Sequence, residues 1–186
     1  MAFAMPIQPA DLPTATVTLW LPDEAALPAV AGRLAAALPA TAFVALRGDL
    51  GAGKTTLVKA VAAALGIDPA EVVSPTFGLI HVHDLCPAAA GTAADRQHRR
   101  PGRLVHADLY RLPGLGDLAE TGWEDATAGA GWVFVEWPER IEAALPGERI
   151  DLVIAIDGPT SRTLSLTGRG AAHAAAVARL AAGSPP

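Results

Sequence analysis

The chain has 186 residues, 51% of them hydrophobic, which is enough for one domain with its own core. Its net charge of −5 excludes bulk-charge binding to nucleic acid, and its single cysteine, Cys86, excludes an internal disulfide and a cysteine-rich zinc site. One cysteine also fits a reducing compartment. Arginine outnumbers lysine by twelve to two and alanine is abundant, so alanine alone is weak support for a helix. The N-terminus "MAFAMPIQPADLPT" lacks a basic segment before its apolar residues and is interrupted by proline, unlike a signal peptide. The most apolar region, 25–47, is broken by Pro28, Arg33 and Pro39 and is no membrane span. The expectation is a cytoplasmic protein with no membrane partner.

In chain order, residues 1–14 read as a flexible tail, 15–182 as a single domain, and 183–186 as a second tail. "TVTLWL" (16–21) predicts a strand. "PDEAALPAVAGRLAAAL" (22–38) predicts a helix with acids in its first turn, where they meet the positive end of the dipole; Pro28 can interrupt it. "AFVALR" (42–47) is a buried strand. "KTTLVKAVAAALG" (54–66) is a helix, with Leu57, Val61 and Leu65 on one face and Gly66 at its C-terminal cap. Strands follow at 78–85, 103–109 and 132–136. "IDLVIAI" (150–156) and "RTLSLTG" (162–168) flank "DGPTS" as a hairpin, and 171–182 is a short helix. This alternation predicts a three-layer α/β domain of the P-loop NTPase type: a mixed β-sheet flanked by helices, with a C-terminal β-hairpin.

The strongest motif is "GDLGAGKT", 48–55. It follows a strand and opens a helix, the context that makes G-x-x-x-x-G-K-[ST] a phosphate loop. Its glycines let successive N–H groups turn inward onto phosphate oxygens, and the helix adds its N-terminal dipole. Asp49, Leu50, Gly51, Ala52, Gly53, Lys54, Thr55 and Thr56 are the candidate nucleotide-binding residues. Lys54 is placed to reach the β- and γ-phosphates, and the Thr55 hydroxyl to ligate Mg2+. No lysine lies downstream of Lys59, so a guanine-reading [NT]-K-x-D element is absent, which favours ATP and its product ADP.

Such a site needs a second protein group near Mg2+, normally an acid at a strand end. Asp108, in "LVHADLYRL", and Glu136, in "WVFVEWPER", both qualify by position. Glutamate is one methylene longer and can reach an ion from a strand set further back. In "SPTF" (74–77), Ser74-Pro75 fixes an extended backbone and Thr76 offers a hydroxyl that can sense the γ-phosphate.

"GDLGAGKTT", "SPTF", "HADLYRL", "VEWPER" and "LPGERIDL" occur together in the order and approximate spacing of the TsaE (YjeE) family. The chain resembles that family from about residue 16 to 168. The resemblance implies a bacterial Mg-dependent ATPase, slow alone and stimulated by partners. It further implies action on the threonylcarbamoyl-transfer complex of TsaD and TsaB, which makes N6-threonylcarbamoyladenosine (t6A) in tRNA, with tRNA itself contacted indirectly or weakly. By this resemblance Lys54 and Thr55 are the phosphate lysine and Mg2+ hydroxyl, and Thr76 lies in a switch-like loop. Glu136 is the second metal ligand, Trp137 is its neighbour, and Asp108 senses or orients what attacks the γ-phosphate. Glu24, Ser161 and Arg162 become candidate base contacts. The chain departs from the family pattern at Gly78, where relatives usually carry Ser or Thr, and in the "HVH" that follows.

Two weaker signals remain. His81 and His83 share one face of a strand and read as half-exposed strand residues rather than zinc ligands. "DRQHRRPGR" (95–103) carries four arginines against one acid and reads as a solvated loop, with contact to tRNA phosphates or an acidic partner as its functional alternative. The competing readings of the whole chain are a P-loop small-molecule kinase and a nucleotide-gated binding module that does not hydrolyse ATP.

Overall fold

The structure, a computed structural model, describes residues 12–72, 79–85 and 102–183. Residues 1–11 and 184–186 of the expected tails, the "SPTF" element with Thr76, Gly78, Cys86, and Arg96, Arg99 and Arg100 lie outside the described residues. Among those described, no helix is long and apolar enough to cross a membrane.

Seven strands form one sheet: β1 (Thr14–Leu21), β2 (Ala42–Arg47), β3 (Ile80–Asp84), β4 (Arg103–Asp108), β5 (Trp132–Glu136), β6 (Arg149–Ile156) and β7 (Arg162–Arg169). Their order across the sheet is β1-β7-β6-β2-β5-β4-β3. The central pairs β2/β5, β2/β6 and β4/β5 are parallel, while β1/β7, β6/β7 and β3/β4 are antiparallel. The mixed sheet and the hairpin expected from "DGPTS" are both present. Strands β2, β4 and β5 are mostly apolar because they are largely buried on both faces; all five residues of β5 are buried.

Helices α1 (Leu27–Ala37), α2 (Lys54–Ala64) and α4 (Ala171–Ala182) cover one face. Leu34, Leu57, Val61 and Val177 meet Phe134, Ile150, Leu152 and Leu166 there in the larger core. The smaller core, on the β4–β5 side, joins Val105, Ala107, Val133 and Val135 to Leu109, Leu112, Leu118 and Ile141. Its outer layer is built from short pieces: α3 (Trp123–Thr127) and 3₁₀ turns at Leu115–Asp117, Ala119–Thr121 and Pro138–Ala144. Trp123 lays its ring edge-on to Phe43 in this layer.

Two local details show how the sequence sets the boundaries. The helix expected over 22–38 begins instead as a 3₁₀ turn, Glu24–Ala26, capped by Asp23, and becomes α-helical only at Leu27. Pro28 imposes this, since it has no N–H to donate and its ring would strike the carbonyl of residue 24 in a continuous helix. At the end of α2, Gly66 takes φ 85° and donates to the Ala63 carbonyl while Ile67 donates to Ala62, the paired bonds of a Schellman cap.

His173, on α4, is buried, and neither ring nitrogen has a hydrogen-bond partner among the described residues. Burial holds its pKa below the ordinary value, against the opposing pull of Glu148. The folded imidazole therefore stays neutral where the unfolded chain takes up a proton, below about pH 6.5. The unfolded state then binds more protons, so stability falls as pH drops from about 6.5 toward the lowered folded value. Urea unfolding between pH 7.5 and 5.5 should show this slope in the wild-type chain and a smaller one in His173→Leu; equal slopes would show that His173 carries none of it.

Candidate functional site

The parallel strands bring their C-terminal ends to one edge of the sheet. Register pairs Leu46 with Glu136 and Glu136 with Asp108, so the two acids stand side by side on adjacent strands. The loop leaving β2 crosses this edge before α2 begins. Gly48, Gly51 and Gly53 have φ of 141°, 79° and 106°, so the loop turns in the left-handed half of backbone space. Gly48 also passes so close to β6 that a Cβ there would lie 2.5 Å from the Ile154 carbonyl oxygen.

Lys54 opens α2 and is only 4% exposed. Its ammonium donates to the carbonyls of Gly48 (2.6 Å) and Asp49 (2.9 Å), folding back over its own loop. It also sits 4.0 Å from the centre of the Trp137 ring, a cation–π distance. Burial lowers its pKa, while the carboxylates of Glu136, Asp108, Glu139 and Asp49 act the other way.

The next residue, Thr55, donates its hydroxyl to Glu136 Oε1 at 2.7 Å. His106 Nε2 lies 2.8 Å from the same oxygen. Glu136 and His106 are both buried. Asp108 is directed differently: its Oδ1 accepts from the Tyr110 backbone N–H at 3.1 Å, at the start of the turn that follows β4. Glu136 thus shares a hydrogen bond with the loop-proximal hydroxyl. A hydroxyl and a carboxylate are hard oxygen donors of the kind Mg2+ takes. Two acids beside an arriving polyphosphate also leave a negative excess that Lys54 alone does not offset, so the residues present fit a divalent cation.

After Glu136 the chain reverses sharply. Trp137 adopts φ 59°, ψ 49°, a left-handed conformation unusual for a bulky residue and more so before proline. The turn places its ring against Tyr110, centroids 4.9 Å apart, as well as under Lys54. Arg47, at the end of β2, is engaged by Glu142 at 2.6 Å and Glu139 at 3.7 Å.

On the other side of the loop lies a cavity of about 210 Å³ between the first turn of α1, the loop and the β6–β7 hairpin. Glu24 and Arg162 line it, as do Gly51, Ala52, Gly53 and Thr56 of the loop. Ser161 does not line it; Pro159 and Thr160 stand there instead. Leu21, Leu27, Ile154 and Leu164 supply apolar walls. Sequence reading missed these walls because they look like ordinary core residues, and only the meeting of β1, β6 and β7 makes them a pocket. Arg162 spends its guanidinium on backbone: Nε donates to Ala52 O (3.1 Å), and Nη1 to Gly158 O (3.0 Å) and Ser161 O (2.8 Å). It thereby ties the phosphate loop to the hairpin.

His81 and His83 point their rings edge-on at 6.5 Å on β3, and burial, then neighbouring histidines, keeps both below the ordinary pKa. Among the described residues no three His, Cys, Asp or Glu side chains gather as a metal cluster.

Replacing Gly48 with alanine should displace the loop from β6. The expected cost is about 1–3 kcal/mol in urea unfolding, as for other overpacked positions, together with weaker ADP binding by calorimetry. Retention of both would show that the loop does not depend on this approach.

Residues 21–164 match the family model described as threonylcarbamoyl adenosine biosynthesis protein TsaE. Proteins named tRNA threonylcarbamoyladenosine biosynthesis protein TsaE are similar along most of the chain. The one from Treponema pallidum is 33% identical over 146 residues, 77% of this chain and 93% of its own. That from Streptomyces coelicolor is 35% identical over 155 residues, 81% of this chain and 96% of its own. The crystal structure of YdiB from Bacillus subtilis superposes with a TM-score of 0.65 at 28% identity, covering 91% of this chain and 96% of that one. The chain belongs to the TsaE family.

Proposed function

We propose that the chain is a Mg-dependent ATPase that serves tRNA threonylcarbamoyladenosine biosynthesis in the cytoplasm by remodelling a TsaD–TsaB complex between cycles. The observation that carries this reading is the meeting of Lys54, Thr55 and Glu136 at the mouth of a glycine-rich loop. The names of the relatives supply the pathway.

In this reading the loop amides and Lys54 receive the triphosphate, and Lys54 exchanges the Gly48 and Asp49 carbonyls for phosphate oxygens. Those carbonyl bonds hold the ammonium in place until nucleotide arrives. Thr55 and Glu136 would hold Mg2+, which supplies charge neutralisation at the β- and γ-phosphates. Asp108, one strand over, orients the attacking water. Thr76, outside the described residues, is the proposed sensor of the γ-phosphate. The base enters the cavity between Glu24 and the hairpin, where Leu21, Leu27 and Ile154 offer apolar contact. Asp49 and Leu50, at the exposed tip of the loop, contribute through backbone groups. Trp137 shields the lysine from water. Arg47, at the end of β2, is held by Glu139 and Glu142 instead of reaching toward the γ-phosphate, in keeping with slow hydrolysis by the isolated chain.

ATP turnover with and without TsaD–TsaB tests this. The wild-type chain should be slow alone and faster with the complex. Lys54→Ala and Glu136→Ala should each lose about 100-fold or more of the stimulated rate, the scale of removing one transition-state charge contact. Turnover that survives Glu136→Ala but not Asp108→Ala would reverse the roles of the two acids. Absence of ADP formation with the complex present would leave a binding module or a kinase.

A further inference from the structure

We propose that His106 is a positioning residue that fixes the Glu136 carboxylate, and that this hold is a condition for tight Mg2+-nucleotide binding. The inference rests on the reading of the site given above.

His106 lies in the middle of β4 and is fully buried. Register pairs it with Phe134, two residues before Glu136, so it shares a sheet face with that carboxylate. Its Nε2 is 2.8 Å from Glu136 Oε1, the oxygen that also accepts from Thr55. Its Nδ1 is buried and has no hydrogen-bond partner among the described residues. A carboxylate only accepts, so Nε2 carries the hydrogen of this bond. The ring's one polar commitment is therefore to Glu136. An apolar side chain would fill the same space without stranding a nitrogen, so the burial cost is offset by what Nε2 does.

The length of the acid explains why a hold is needed. Glutamate has one more rotatable bond than aspartate, so its carboxylate has more orientations to lose. Thr55 is itself assigned to the metal, and once its hydroxyl is engaged there it no longer restrains the carboxylate. His106 is the donor that stays, from a central strand whose backbone is locked on both sides. Outer-shell donors of this kind orient a ligand without touching the ion.

Calorimetric ADP binding, with Mg2+ and with EDTA, separates this role from folding. In the wild type Mg2+ should strengthen binding. His106→Leu should lose about 10–100-fold of the Mg2+-supported affinity, the usual range for outer-shell partners, with its affinity in EDTA unchanged. His106→Gln, whose amide nitrogen reaches the position of Nε2, should stay within a few-fold of wild type. Long-range ¹H–¹⁵N spectra of the nucleotide-free protein should show the Nε2–H tautomer. Should the leucine variant not fold, His106→Asn, whose amide stands at the position of Nδ1, should behave as leucine was expected to. The idea is overturned by a full Mg2+ gain in His106→Leu or His106→Asn, by an equal loss in His106→Gln, or by an Nε2 that carries no proton. No ADP binding by the wild type at all would sink the nucleotide reading and this inference with it. A wild-type Mg2+ gain that the leucine variant keeps would sink only this inference.

Discussion

The Glu136 carboxylate organises the site. It is almost wholly buried, and a buried carboxylate is tolerated only when donors satisfy it. Its two recorded donors come from different elements: Thr55 from the first turn of α2, and His106 from β4. The contact therefore ties together the helix that follows the phosphate loop, the strand that carries the acid and the strand beside it. It exists because parallel register sets Leu46, Glu136 and Asp108 level at the edge where β2 hands the chain to the loop. A shift by one residue would turn Glu136 to the opposite face of the sheet and leave both donors unpaired.

Around that contact the structure is arranged to present a phosphate loop held ready. Arg162 secures Ala52 from the hairpin side, and Gly48 admits the loop against Ile154. Lys54 lies over Trp137, whose left-handed backbone is the kind of strain found where a structure over-determines a functional position. The hairpin that holds the loop also closes the cavity beside it, so cavity shape and loop geometry are linked through Arg162. The other anchored acid, Asp151, shows the same economy away from the site. Burial acts to raise its pKa, but hydrogen bonds from Arg169 and Arg149 outweigh this and hold it below the ordinary carboxylate range.

Much of this was legible in the sequence. "AFVALRGDLGAGKT" announces strand, loop and helix through apolar run, glycines and lysine, and those elements lie where the pattern puts them. Strand β5 and helix α4 match their expected limits, because each is bounded by residues that break structure. The two acids could be placed at strand ends but not ranked by residue type alone, since their difference lies in cross-strand register and in which donors come within reach. His106 was visible only as a letter in "HADLYRL"; its bond to Glu136 spans thirty positions of chain and depends on β4 and β5 being neighbours. The layer over β4–β5 went unread because 109–131 carries five glycines and short apolar runs, which fold as two 3₁₀ turns and one five-residue helix, too short to show helical periodicity. The cavity walls were hidden for the opposite reason: Leu21, Leu27 and Ile154 obey the core pattern, and nothing local marks them as lining a cavity.

The most direct test of the central claim is a crystal structure with ADP and Mn2+ in place of Mg2+, using anomalous scattering to locate the ion. The account predicts an anomalous peak between the Thr55 hydroxyl and the Glu136 carboxylate, with the Lys54 ammonium moved from the Gly48 and Asp49 carbonyls onto phosphate. A peak at Asp108, with the Thr55–Glu136 hydrogen bond still closed, would contradict it.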